Sequence, residues 1–366
     1  MNNYNLDNFE PAAKIVVIGV GGGGNNAVNR MIDEEIQNVD FYVANTDKQA
    51  LSTSKSNNRL ILGEDLTNGL GAGGIPEIGE KAAEASSDEI REIVKDANMV
   101  FIAAGMGGGT GTGASPVIAK IAKDCGALVV AIVTRPFNFE GKKRNINSIE
   151  GLNKLKANVD SIIVINNDKL LMTAGNSPMN EAFSEADGVL ARCVKTVVDI
   201  ILLPGLINCD FSDVNNTLKD SGVALIGFGL GRGPNKSKDA ATSSINCPLI
   251  ETSICGARRA IASITCGPNV SLMEAQNTVQ YLREVAGGNI DIKFGVTFNN
   301  QLDDAILVSV IAADFENEID FSQTSNYEPS SFEPNTSTSQ VTEENTSSED
   351  ADSSEDEDIL PSFLKD

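Results

Sequence analysis

The sequence predicts an α/β fold, in which a parallel sheet covered by helices on both faces is joined through one long helix to a smaller α+β unit. Three observations carry this. Short apolar runs alternate with helix-length amphipathic stretches across residues 14–165, the pattern of parallel strands buried on both faces. Glycine-rich runs follow several of those strands, at the carboxyl ends where such sheets receive ligands. Residues 179–203 then leave room for one long helix, ended by Pro204-Gly205.

In chain order, residues 1–13 form a short polar arm. Lys14 to Val20 is a buried strand that breaks into Gly21, Gly22, Gly23, Gly24, Asn25 and Asn26, and the following helix buries Ala27, Val28, Met31 and Ile32. Phe41 to Ala44 is the next strand and ends at Asn45-Thr46-Asp47. Leu60 to Leu62 is a third, before a flexible stretch from Gly69 to Pro76 that includes Gly71, Ala72 and Gly73. Pro76 suits the entry to a helix reaching about Asp96. Met99 to Ala104 is a strand feeding Gly105 to Gly113, with a helix over Pro116 to Ala122. Ala127 to Thr134 is another buried strand, and Arg135 to Gly141 lead into a helix before the strand Ser161 to Ile165.

Beyond the long helix a new unit begins near Asp210. It has a helix to about Lys219, a strand over 223–230, a turn at 231–235 and a helix near 236–246. Strands follow near 260–266, 289–298 and 305–313, with a helix over 271–285 between the first two, giving a mixed sheet. From about Glu316 the composition collapses into Ser, Thr, Asn, Glu and Asp, which cannot bury enough surface to offset chain entropy, so residues 316–357 read as a disordered acidic linker. The chain closes on Asp358-Ile359-Leu360-Pro361-Ser362-Phe363-Leu364-Lys365-Asp366, whose apolar anchors on an acidic tether read as a docking peptide.

Composition narrows the chemistry. At 366 residues the chain can hold about two domains. No run approaches the ~18–20 apolar residues of a membrane span, and no signal peptide is visible, so a cytoplasmic protein without membrane insertion is expected. The six cysteines lack CxxC spacing and read as reduced, packed thiols. Histidine is absent, which removes Ser–His and Cys–His nucleophile pairs and leaves carboxylates, backbone amides and a hard cation. Of the net charge of −23, residues 316–366 contribute −14, and the acidic body argues against nucleic-acid binding.

The most informative stretch is Gly105 to Gly113, with six glycines in nine residues between a strand and a helix. Unpaired N–H groups and the positive dipole end of a helix suit a phosphate, and Gly107, Gly108, Gly109 and Gly111 let it approach while Thr110 and Thr112 add hydroxyls. Asp210 and Asp213, with Asn208, form an acidic pair that is either a helix cap or a catalytic loop.

These motifs resemble the FtsZ family of bacterial cell-division GTPases, in the tubulin superfamily. The match runs over about residues 12–316 and the last nine. It rests on Gly107 to Gly113, Gly21 to Asn26, Asn45-Thr46-Asp47, Gly71-Ala72-Gly73, Pro136 to Arg144, Asn167 to Leu171 and Asn208 to Asp213.

The resemblance implies a Rossmann-like GTP-binding domain over 14–178, a central helix over 179–204 and a C-terminal α+β domain over 205–315, the tubulin-like arrangement. It implies GTP/GDP and Mg²⁺ as ligands. Gly21 to Asn26 would contact the α- and β-phosphates and Gly107 to Thr112 the β/γ end. Asn45, Gly71, Ala72 and Gly73 would close around the γ-phosphate and its Mg²⁺. Pro136 is carried over with Glu140, which would hold the ribose, and Arg144, near the sugar or phosphates. Asn167 and Asp187 would read guanine, with Phe183 stacked on the base. Asn208, Asp210 and Asp213 would complete the site of a neighbouring copy, so the chain would polymerise head to tail into the division ring at mid-cell. Residues 358–366 would meet membrane-tethering and regulatory division proteins.

The chain departs from the family pattern at Asn25, Asn166, Gly188 and Leu360. Two rival readings stay open. Gly19 to Gly24 satisfies GxGxxG, as in nicotinamide-dependent oxidoreductases, with Asp47 as the strand-end acid. A polymer that binds GTP without hydrolysing it is the other. A P-loop NTPase is excluded, since GxxxxGK[ST] is absent.

Overall fold

The computed structural model describes residues 13–174, 179–202, 205–247, 254, 256–288 and 290–316. The expectations for the N-terminal arm, the acidic linker beyond Glu316 and the terminal docking peptide lie outside the described residues.

The first half alternates strands and helices. β1 (Ile15–Val20) runs into α1 (Gly21–Asp33), β2 (Asp40–Asn45) into the short α2 (Lys48–Ser52), and β3 (Asn58–Ile61) into α3 (Glu64–Thr67). α4 (Pro76–Ala85) and α5 (Ser87–Val94) precede β4 (Met99–Gly105) and α6 (Thr110–Asp124). β5 (Leu128–Arg135), α7 (Lys142–Lys156), β6 (Ser161–Asn166) and α8 (Asn167–Ala174) follow. The long α9 (Met179–Leu202) leads to α10 (Phe211–Leu218), β7 (Gly222–Gly231), α11 (Lys236–Ile245), β8 (Ala257–Cys266), α12 (Leu272–Val285), β9 (Asp291–Phe298) and β10 (Ile306–Phe315).

The described strands form one ten-stranded sheet in the order β3-β2-β1-β4-β5-β6-β7-β10-β8-β9. From β3 to β7 all pairs are parallel, β10 is antiparallel to both β7 and β8, and β8 and β9 are parallel, so the pairing is mixed as expected. Alternate residues of each buried strand feed opposite layers. Ile15, Val17, Met99, Phe101, Val130 and Ile132 pack with α1 and α9, while Val16, Ile18, Val100, Ile102, Val129 and Val133 pack with α4 to α7. Two covered faces explain why these strands read as unbroken apolar runs. A third core joins α11 and α12 to the far face of β8–β10.

Three local expectations are corrected. The helix expected from Pro76 to Asp96 is two helices, broken at Ser86, whose hydroxyl accepts the Gly63 N–H at 3.1 Å. The segments Gly21–Asn26 and Thr110–Gly113, read as loops, are helical from their first residue. In α6 this places Pro116 inside the helix. Glycine permits both starts. Gly21 has φ +70° and lies against Gly111, and a Cβ on Gly113 would overlap the Pro76 carbonyl where α4 crosses α6.

Candidate nucleotide site

The amino ends of α1 and α6 open on one cavity of about 460 Å³ at the carboxyl ends of β1, β4 and β5. Neither helix has a side-chain cap or an acid in its first turn, whereas Asp47, Asp210 and Ser271 cap α2, α10 and α12. The unpaired N–H groups of α1 and α6, and their dipoles, therefore face the cavity, where an anion would satisfy them.

Helical phase decides which glycines face a ligand. In α1, Gly22, Gly23 and Asn26 line the cavity, while Gly21 and Gly24 turn inward. Gly108, Gly109, Thr110 and Gly111 line it from the α6 side. A Cβ on Gly22 or Gly108 would meet no atom within 4 Å, so the protein's own packing does not demand glycine at either position. A closely approaching ligand would.

Six other predicted residues, Asn25, Asn45, Thr112, Gly71, Ala72 and Gly73, stand behind the wall. Asn25 and Asn45 are buried: with its amide oriented for bonding, Asn25 donates to the Gly21 and Gly19 carbonyls at 2.9 and 3.0 Å and accepts from Asn45 at 3.3 Å. Thr112 accepts the Gly107 N–H at 2.8 Å. Gly71, Ala72 and Gly73 do not line the cavity. Their segment hangs on β2's end through the Gly71 N–H to the Thr46 carbonyl (3.1 Å), and Ala72 lies against Gly109. Thr46 in turn shares a 2.7 Å hydroxyl bond with Thr110. These residues shape the cradle from outside.

The opposite end of the cavity is walled by residues of β5, α7, α8 and α9 and the segments between them. Pro136, Glu140 and Arg144 line it, and Glu140 accepts the Phe137 N–H at 3.0 Å while pairing with Arg144. Phe183, Ala186 and Asp187 share one face at the start of α9. Phe183 meets Phe137 edge-on at 5.0 Å, and Phe137 stacks on Phe139. Asn167, first in α8, is buried, and its Oδ1 has no partner among the described residues. Burial pushes the Asp187 carboxyl up to about 7, against the pull of the Arg30 guanidinium. Two desolvated acceptors thus face one cavity, where donors of a bound ligand would satisfy them.

Gly105 and Met106, part of the glycine-rich stretch singled out in the sequence, line the cavity, and so do Thr134 and Ala186, which were not singled out. Their signal was positional: Gly105 and Thr134 stand at the carboxyl ends of β4 and β5, and Ala186 neighbours Asp187. Asp47 does not line it; it caps α2, accepting the Gln49 and Ala50 N–H groups at 2.8 and 3.2 Å, which removes the ribose acid of the nicotinamide reading.

Asn208, Asp210 and Asp213 are not brought to the cavity. From Phe183 to Leu202 alone, α9 extends about 30 Å at 1.5 Å per residue. Asn208 accepts the Gly205 N–H at 2.6 Å, Asp213 donates its N–H to Asp210 Oδ1 at 2.8 Å, and the Asp210 N–H reaches Asp213 Oδ2 at 3.4 Å. The acids thus form a reciprocal capping box, and each keeps a second oxygen unpartnered among the described residues.

The described residues hold no group of three or more carboxylates and thiols able to bind a metal. Magnesium needs no such cage when substrate phosphates supply most of its oxygens.

Comparison with known proteins identifies the family. Residues 14–175 match the GTPase domain of the tubulin/FtsZ family, and residues 222–316 match the C-terminal domain of the FtsZ family. The chain is 41% identical to FtsZ of M. jannaschii in a structure of its empty dimer, with a TM-score of 0.78 over 82% of this chain and 88% of that one. A point mutant of the same protein gives 41% identity and 0.79, over 83% and 91% of the two chains. CetZ2 of Haloferax volcanii, solved as a GTPγS-bound protofilament, shares the fold at 21% identity and a TM-score of 0.71, covering 85% of this chain and 96% of that one.

Proposed function

Since this chain belongs to the tubulin/FtsZ family of GTPases, we propose that it binds GTP in the α1/α6 cavity, stacks head to tail into protofilaments, and hydrolyses GTP only where one copy's acidic loop meets the next copy's nucleotide. One observation carries the reading. Two uncapped helix ends and two desolvated acceptors face one cavity, while the acid pair lies a helix-length away.

In this account the amides of α1 and α6 hold the phosphates, and Arg144 adds a cation. The Asp187 carboxylate accepts from guanine N1–H and N2–H₂, and Asn167 Oδ1 takes a further donor; adenine presents no such pair. Magnesium would be held by the phosphate oxygens and would neutralise charge on them. The neighbour's Asp210 and Asp213 would orient water at the γ-phosphate, chemistry that is positioning and charge stabilisation and needs no histidine. A contact that repeats without closing makes a filament. The self-association of FtsZ and CetZ2 in the structures above supports this step. The same reading places the filaments in the cytoplasm at the mid-cell division ring, recruited through residues 358–366. Deleting those nine residues is expected to leave assembly intact and abolish recruitment by membrane-tethering partners; loss of polymerisation would contradict the docking role.

Phosphate release with GTP, ATP and NAD, followed over a protein concentration series, tests the function. Release with GTP alone, rising per subunit with concentration, is expected. A rate per subunit that does not change with concentration would remove the shared site.

GTP binding should also depend on pH. Below about 7 the Asp187 carboxyl holds a proton that it must lose to accept two N–H groups, so affinity falls toward tenfold per pH unit on acidification and levels off above pH 7. Titration of bound nucleotide, with Asp187→Asn as the reference that removes the phosphates' own titration, measures it. Equal slopes for the two proteins would refute the assignment.

A further inference from the structure

α6 begins at the phosphate cradle with Thr110 and ends near Lys123, whose ammonium is the hub of a three-way contact. It lies 3.1 Å from Asp160 Oδ1, 3.1 Å from Asp220 Oδ1 and 3.4 Å from the Val159 carbonyl. Asp160 is buried and fixes the amino ends of three strands. Its Oδ2 accepts the Val129 N–H at 2.9 Å, its N–H donates to the Val129 carbonyl at 2.9 Å, and its carbonyl accepts the Gly222 N–H at 3.0 Å. Asp220 follows α10, the helix whose amino end carries Asp210 and Asp213, and its φ of +49° makes the turn into β7.

α10 packs in the α9 layer and α6 in the opposite layer, so Lys123 reaches past the amino ends of β5 to β7 to join them. The other end of this joint is also a cation. Arg259 of β8 donates to the Asn216 carbonyl of α10 and to Asp314 Oδ2 at 3.0 Å. α10 is therefore gripped on one side by the helix that touches the nucleotide cradle and on the other by the C-terminal sheet. Burial opposes the charge on Lys123, yet its bonds to Asp160 and Asp220 raise its pKa, and the Lys123 hydrogen bond lowers that of Asp220.

We propose that the Lys123–Asp220 bridge positions α10, and thus the Asp210–Asp213 pair, for the neighbouring copy's nucleotide. Asp220 and Lys123 are positioning residues for turnover. The proposal rests on the shared-site reading above. A displacement of about 1 Å far from the chemistry can cost on the order of 10²-fold in rate, so a bond at the far end of an eight-residue helix has leverage on the acids at its start.

Asp220 is 69% exposed, so Asp220→Asn breaks that ion pair and leaves the pair of Lys123 with the buried Asp160 in place. In full-length protein, Asp220→Asn is expected to bind GTP with unchanged affinity and sediment as polymer at the same protein concentration, while kcat falls about tenfold. Asparagine tolerates the φ of +49° as aspartate does, so the turn is kept and only the charge is lost. A purely structural role would move stability and assembly together with kcat. If the wild type shows concentration-dependent turnover and Asp220→Asn matches its kcat, the bridge proposal is overturned alone. If wild-type turnover does not depend on concentration, both readings fall.

Discussion

Asp187→Asn is expected to weaken GTP binding about 100-fold, roughly 2.7 kcal/mol, and to let xanthosine triphosphate bind in its place. Guanine offers donors at N1 and N2, and a carboxylate can accept both. An asparagine can accept one, but its amide N–H₂ opposes the N2–H₂ group. Xanthine carries a carbonyl at that position, which the amide N–H₂ can meet. The large effect follows from desolvation: Asp187 sits mostly out of water with its pKa pushed up to about 7, and the pocket offers little to replace a lost partner. Competition between GTP, XTP and ATP for a fluorescent nucleotide reads the change. GTP affinity within threefold of wild type would move guanine recognition away from Asp187.

Asp213→Asn is expected to assemble with GTP and to lower turnover about 10²–10³-fold, within the range for removing a positioned acid–base group. The choice of asparagine separates two roles. Asp213 also belongs to the capping box at the start of α10, and an amide oxygen can still accept the Asp210 N–H there. Losing a cap altogether costs about 1 kcal/mol, which a thermal unfolding midpoint would register. Phosphate release measured on sedimented polymer gives turnover per assembled subunit. Wild-type turnover in that polymer would return Asp213 to the role of a cap.

Most of the fold was legible because burial on two faces leaves unbroken apolar strands, and β1, β4, β5 and β6 fall close to where those runs occur. What the runs did not carry was helix phase. Six successive residues from Gly21 to Asn26 read as a loop in which all could touch phosphate, but a helix that starts at Gly21 turns Gly21, Gly24 and Asn25 toward the core and leaves Gly22, Gly23 and Asn26 for the ligand. Thr112, the third residue of α6, turns inward for the same reason and holds the Gly107 N–H instead of facing the cavity. Asn45 lies at a strand end as expected, yet tertiary packing spends its amide on Asn25. The base end was harder. Phe183 and Asp187 lie on a helix that begins after the sheet's first half is complete, and periodicity alone assigns them to core and solvent. Their place beside Asn167 depends on α9 crossing the mouth of β5 and β6, a long-range fact. The Lys123 joint was invisible for a similar reason, since its partners are 37 and 97 residues away in the chain.

The central claim is that the active site is divided between copies, and mixing two inactive chains tests it most directly. Gly108→Phe places a ring where a Cβ has open space beside the cradle and should exclude nucleotide while leaving α10 untouched. Asp213→Asn keeps the cradle and loses the acid. Neither alone should release phosphate from GTP at an appreciable rate. Combined in equal amounts, the intact cradle of one can meet the intact acid loop of the other, and turnover should rise well above the sum of the separate rates. A mixture that co-sediments with GTP yet releases phosphate no faster than that sum would contradict the divided site.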